Sequence, residues 1–317
     1  MRITRRSAFR LGAGLASLAI AGCSAGEYGG PPRRLRLAAG EPGGFYIEFA
    51  RLLAAQLAEL EPNLSAEVVS TGGSVANLEL VRDGRADLGL ALADVATSAA
   101  AGVAPFPHAV PLRAIGRVYE NYMQLVVPVN SPIRTVRDLA GARISLGANG
   151  SGAAVFGDRL LTATGVPARV DHRPLAEATA ELATGGIDAL LWSGGVPTPA
   201  LRDLDAIHPV RLVDLAGELP VLQDAYGPVY EEVSVPDGGY GHSGPIATIG
   251  VSNLLVTGPD LPDDVAAAVT EVLVHAAPRL VPRQALGAQY LDRRSLIATG
   301  KVPLHPGAAQ AYKDLRD

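Results

Sequence analysis

From residue 35 onward, short apolar runs alternate with longer stretches in which apolar residues recur every three or four positions. The first pattern is that of buried strands and the second that of helices with one apolar face, so the chain reads as an α/β fold with largely parallel sheets. Residues 35–39 predict a strand, 40–44 a glycine turn, and 46–60 a helix with Phe49, Leu52, Leu53, Leu57 and Leu60 on one face. Residues 67–77 repeat the unit. Val68 and Val69 are β-branched strand formers, Gly72 and Gly73 let the backbone turn, and Ser74 stands at the N-cap position of a helix running to about Arg82.

Residues 88–92 read as a buried strand, and Asp94 follows it at the start of an Ala-rich helix. Capping that helix and lining a cleft at the strand's carboxyl end are both open to Asp94. Residues 112–118 and 124–129 predict two further strands, with Tyr119, Asn121 and Tyr122 between them, where the chain crosses to a second lobe. There the pattern recurs: a strand at 143–146, a glycine turn at 147–152 and a helix at 153–164. Residues 187–192 predict a strand running into a Gly- and Pro-rich turn and a short helix, and 210–213 another strand. Residues 217–245 carry no readable pairing, 249–256 predict a long strand back to the first lobe, and Pro262 with Asp263 and Asp264 suits the opening of a helix.

This gives one lobe from 35–122 plus 250–317 and a second from 123–249. Each lobe carries a strand, glycine turn and helix start. Such a turn presents free N–H groups at the positive end of the helix dipole, and two of them facing across a cleft suit a small anion.

The first residues read as an address. Arg2, Arg5 and Arg6 precede an apolar core at 11–20, and Ala21-Gly22-Cys23 ends a small-residue site resembling a lipobox. Residues 1–22 are then a signal peptide, Cys23 carries lipid, and 23–34 form a flexible Gly- and Pro-rich tether. Thr4-Arg5-Arg6-Ser7-Ala8-Phe9 partly resembles a twin-arginine signal, so Sec and twin-arginine export both stand; either leads outside the cytoplasm. The apolar core is short for a membrane span.

Composition removes other classes. Lys and Arg number 27 against 32 Asp and Glu, a net charge of −5, and aromatic residues make up 5% of the chain; this leaves neither a basic face nor stacking platforms for nucleic acid. The single cysteine excludes an internal disulfide. The six histidines show no helical pair spacing, and no dinucleotide or Walker-type run occurs, so neither metal nor cofactor is expected. Gly72-Gly73-Ser74-Val75-Ala76 has the strand-to-helix context of a nucleophile elbow, with alanine in place of the last glycine and His242 or His305 as the available base. A serine hydrolase is thus the enzyme alternative, and matched turns in the two halves weigh against it.

Several segments resemble TAXI-type solute-binding proteins, the extracytoplasmic receptors of a class of TRAP transporters. They are GGFY at 43–46, STGGSVANL at 70–78, GRADLGLALADVA at 84–96, LRAIGRVY at 112–119, DLAGARISLGANGSGA at 138–153, GGIDALLWSGGVPTPA at 185–200 and VPLHPGA at 302–308. The resemblance implies a two-lobed periplasmic-binding-protein fold of the second type. It implies closure on a small organic anion such as glutamate, glutamine or a related acid, and delivery to a TRAP-type permease, without catalysis. By position, Tyr46, Ser70, Thr71, Gly73, Ser74 and Asp94 would form one wall, and Asn149, Ser151, Gly152, Trp192 and Gly194 the other. Trp192, the only tryptophan, suits core packing and ligand cover equally. His305 matches the family without a ligand role and is expected to pack or cap. An importer of the ABC class and a signalling kinase are the other partners that such a lipoprotein would serve.

Overall fold

In β1 (Arg33–Ala38), Leu35 and Leu37 are buried while Arg34 and Arg36 face solvent, the alternation of a strand covered more fully on one side. The computed structural model, which describes residues 28–240 and 245–315, continues through α1 (Phe45–Leu60), β2 (Leu64–Val69), α2 (Ser74–Arg82), β3 (Leu88–Leu92) and α3 (Ala93–Ala101). All five residues of β3 are buried, as a central strand covered on both faces requires. β1 pairs in parallel with both β2 and β3.

The chain then enters β4 (Arg113–Pro128), one strand of 16 residues where the sequence predicted two. Tyr119, Asn121 and Tyr122, read as lying between two strands, are buried within it, as is Glu120. The ladder continues because β10 (Ile246–Thr257) runs antiparallel beside it from Arg113 to Tyr122, absorbing two register shifts. Beyond this point β4 pairs instead with β7 (Ala189–Gly194) and β8 (Val210–Val213). β4 and β10 thus belong to both lobes, and the strand order β2-β1-β3-β10-β4-β7-β5-β6 runs unbroken between them.

The second lobe contains β5 (Arg143–Ser145), α4 (Gly152–Thr164), β6 (Arg169–Asp171), α5 (Leu175–Thr184) and α6 (Pro199–Ile207). The stretch without readable pairing holds α7 (Leu219–Tyr226) and β9 (Glu231–Val235), which pairs with β10. β6 and α5 were also not foreseen: β6 is three residues long, and α5 follows it after a short link. Among the described residues, β10 is followed by the α-helices α8 (Asp263–His275), α9 (Arg293–Leu296) and α10 (Pro306–Asp314). His305 is the N-cap of α10; its Nδ1 accepts from the Gly307 N–H at 3.2 Å, the capping role expected of it.

One apolar cluster packs α1 and α8 against β1 and β3, and another packs α5 and α6 in the second lobe. A third crosses the divide: Leu92 and Val95 of the first lobe share it with Phe156 and Leu191 of the second. The lobes are therefore in direct apolar contact. Within the segment read as tether, Tyr28 is buried, its N–H donates to Glu61 Oε2 at 2.7 Å, and Arg33 and Arg34 are already in β1. The signal segment and Cys23 lie outside the described residues. No helix among the described residues is long and apolar enough to cross a membrane.

Candidate functional site

Three helix starts meet between the lobes. α1 begins after a turn in which Gly43 has φ 81° and the Gly44 N–H donates to the Glu41 carbonyl at 3.1 Å. A side chain at Gly43 would be strained there. α2 begins after Gly73, whose φ of 121° makes glycine the natural occupant, and α4 begins at Gly152 behind Ser151. Neither α1 nor α2 has a side-chain cap. Ser74 is therefore the first helical residue of α2, one place after the cap position that the sequence suggested for it.

The α2 start does not stand open toward a ligand. The N–H groups of Val75 and Ala76 donate to the Gly150 carbonyl of the opposite lobe at 3.0 and 3.3 Å. The two glycine turns clasp each other, and the N–H groups that the sequence assigned to an anion are used in that contact. A Cβ on Gly72 would sit 2.9 Å from the Asn149 carbonyl oxygen, and one on Gly152 would strike Leu92 and lie 2.8 Å from Ser74 Oγ. Glycine here permits the close approach of two backbones.

Beside this clasp is a pocket with a cavity volume of about 30 Å³, room for roughly one or two waters. Of the residues expected on its walls, Tyr46, Gly73, Ser74, Ser151, Gly152 and Trp192 do line it. Ser70, Thr71, Asp94, Asn149 and Gly194 lie outside that lining. The Ser70 hydroxyl donates to the Gly40 carbonyl, the Thr71 hydroxyl to Ala39 and Asn77, and the Gly194 carbonyl accepts from Gln124. Asn149 is exposed, and its carbonyl oxygen lies against Gly72 of the other turn. The Ser70 and Thr71 side chains brace the first lobe's turn.

Asp94 lies inside the first turn of α3, whose N-cap is Leu92 without a side-chain cap, so it does not take the capping role open to it. It receives the Val95 N–H at 2.8 Å, and its Oδ2 receives the Tyr230 hydroxyl at 2.9 Å and Arg159 Nη1 at 2.8 Å. Burial pushes its carboxyl up from the ordinary value against the pull of Arg159, Tyr230 and the Val95 N–H. Since α3 belongs to one lobe and Arg159 and Tyr230 to the other, Asp94 joins the lobes away from the pocket.

Within the pocket, Ser74 Oγ accepts from the Leu92 N–H at 3.1 Å and lies 3.3 Å from the Tyr46 hydroxyl. Tyr46 also donates to Asn253 Oδ1; Asn253 Nδ2 donates to Asn121 Oδ1 at 2.7 Å, and Asn121 Nδ2 to Ser193 Oγ at 3.0 Å. This relay runs from one wall across both crossing strands to the other wall. Burial holds the Tyr46 phenol far above its usual range, so it stays a neutral donor. Ser151 Oγ caps α4 by accepting from the Ala154 N–H at 3.0 Å. Trp192 is buried and stands in the pocket wall: its indole N–H donates to Thr198 Oγ1 at 3.0 Å while its ring edge lies against Gly44.

Sequence reading missed Glu41, Asn121 and Ser193 as wall residues. For Glu41, its place in the first glycine turn was the available signal, matching Ser74 and Ser151 in theirs. Asn121 was visible only as a polar residue between two strand patterns. The partners of Ser74 Oγ are a tyrosine and a main-chain N–H, with no histidine among them; His242 lies outside the described residues.

A family model described as the NMT1-like family matches residues 37–315. Among similar solved structures, a protein from Bordetella bronchiseptica RB50 has a TM-score of 0.57 at 16% identity, over 90% of this chain and 98% of that one. A structure described as a periplasmic transporter has a TM-score of 0.52 at 17% identity, over 90% and 93%. The GluR0 ligand-binding core in complex with L-glutamate has a TM-score of 0.50 at 12% identity, over 79% and 96%. The fold is that of two-lobed periplasmic binding proteins of the second type.

Proposed function

As a chain that belongs to the NMT1-like family and has the two-lobed fold of extracytoplasmic solute receptors, we propose that this protein captures a small organic anion between its lobes and hands it to a membrane transporter. The observation that carries this reading is the pocket between the two clasped turns, walled by Tyr46 and Ser74 from one lobe and by Ser151, Gly152 and Trp192 from the other. Its walls belong to bodies joined by two strands, β4 and β10, which is how a cleft opens and closes by hinge motion. We take the moving bodies to be 35–122 plus 250–317 and 123–249.

The solute in this reading is an acidic amino acid or a related carboxylate such as glutamate or glutamine. Backbone N–H groups at the starts of α1 and α4 would receive its oxygens, and Tyr46 and Trp192 would cover its carbon chain. The resemblance of the cleft-forming segments to TAXI-type receptors supports that class and a TRAP-type permease as the partner. Ser74, held by Leu92 and Tyr46, supports binding over hydrolysis.

The lipid anchor belongs to the same reading. Cys23→Ala is expected to move the protein from the membrane fraction to the soluble one, and continued anchoring would remove that part. Small-angle scattering with and without L-glutamate or L-glutamine tests the whole: the radius of gyration should be larger without solute and fall on saturation. An unchanged radius with every carboxylate tried would overturn it.

A further inference from the structure

Glu41 stands in the turn before α1, and its carboxylate reaches the other lobe. Oε2 accepts the N–H of Leu175, the first residue of α5, at 2.6 Å. The second oxygen, Oε1, is buried and has no hydrogen-bond partner among the described residues. Glu41 lines the pocket between the lobes.

An ionised carboxylate is a pure acceptor, and leaving one of its oxygens buried and unpaired is costly. Burial pushes the Glu41 carboxyl up, opposed by the Leu175 N–H and reinforced by nearby Glu177. No lysine, arginine or histidine is among the described residues lining the pocket, so no wall cation answers this charge. Around the same space lie the starts of α1 and α4, with Phe45, Tyr46, Gly152 and Ala153 in their first turns. The pocket therefore has two poles, backbone donors at the helix starts and an acceptor at Glu41.

We infer that Glu41 receives the ammonium group of the solute, so that the receptor selects α-amino acids against carboxylic acids of the same skeleton. This rests on the solute-receptor reading and adds to it the charge pattern of the ligand: a carboxylate for the helix starts and an ammonium for Glu41 Oε1. A bond between an ammonium and a carboxylate is charge-assisted, and its loss leaves the carboxylate unpaired again. Because Glu41 also holds α5, an ammonium bound there ties solute recognition to the closed arrangement.

The test is calorimetry on the whole protein with solute pairs that differ only in the α-ammonium: L-glutamate and glutarate, L-glutamine and 4-carbamoylbutanoate, L-alanine and propionate. At least one amino acid is expected to bind, roughly tenfold or more tighter than its partner acid. Glu41→Gln, whose amide oxygen still accepts the Leu175 N–H, should abolish most of that preference while keeping the melting temperature. Equal affinity within each pair overturns the inference and leaves the receptor reading standing, as does an unchanged preference in the variant. The wild-type pairs decide the matter even where the variant fails to fold. Absence of heat with all six solutes overturns both.

Discussion

The carboxylate of Asp94 and the guanidinium of Arg159 meet at 2.8 Å with the Asp94 side chain fully buried, joining α3 of one lobe to α4 of the other. Tyr230 donates to the same oxygen, and Arg159 Nη2 donates to Ser98 Oγ at 2.7 Å. The pair lies outside the pocket between the lobes and ties α3 to α4.

Arg159→Met is therefore expected to favour the open form. It leaves a buried carboxylate without its cation, a change that costs about 3–5 kcal/mol where the site stays dry. Parting the lobes lets water reach Asp94 and relieves that cost. Scattering of the unliganded variant should give a larger radius of gyration than the wild type, with a lower melting temperature. Unchanged values of both would show that the pair does not hold the lobes.

Gly152→Val should block closure without unfolding either lobe. Gly152 opens α4, and a Cβ there meets Leu92 and Ser74, both in the opposite lobe. Helical content by circular dichroism should match the wild type, while solute binding weakens by roughly 100-fold or more, an overpacking cost of about 1–3 kcal/mol plus the lost contacts. Wild-type affinity in this variant would mean that the clasp of the two turns is not part of binding.

Glu120 gives stability a pH dependence of known sign. It is buried in β4 where that strand crosses between lobes; Oε2 receives the hydroxyls of Tyr290 and Ser252, and Oε1 has no partner. Burial pushes its carboxyl up to about 7, against those two hydrogen bonds and the pull of Arg117, with Glu231 adding to the rise. A carboxyl whose pKa is higher folded than unfolded adds stability at low pH, and that contribution is lost as pH rises from about 4.5 through about 7. The loss is up to about 3 kcal/mol. The melting temperature should fall between pH 5 and pH 8, and Glu120→Gln should flatten the fall and raise the value at pH 8. An equal slope in wild type and variant would place the titration elsewhere.

Elements whose residues follow one period were readable from the chain alone. Residues 88–92 form the strand they predicted, and α1 and α4 begin one residue before their predicted starts. What escaped reading depends on partners distant in sequence. β4 continues through Glu120 and Asn121 because β10, more than a hundred residues later, supplies their ladder and their side-chain bonds. The two glycine turns were visible, but not that Gly150 of one caps the helix start of the other, since a backbone carbonyl carries no sequence signature. Asp94 was read as a cap or a wall residue; its partner Arg159 lies 65 positions away, and no local pattern links them.

The central claim is that a small solute binds between Tyr46 and Trp192 as the lobes close, and the emission of Trp192 tests it most directly. Trp192 is the only tryptophan and its ring lies in the pocket wall, so emission excited at the red edge, where tyrosine does not absorb, reports on this one residue. Titration with L-glutamate and L-glutamine, run beside calorimetry, should give a saturable change in emission at the same midpoint as the heat for the solute that binds. Heat of binding with the Trp192 emission unmoved would place the solute outside this cleft and contradict the account.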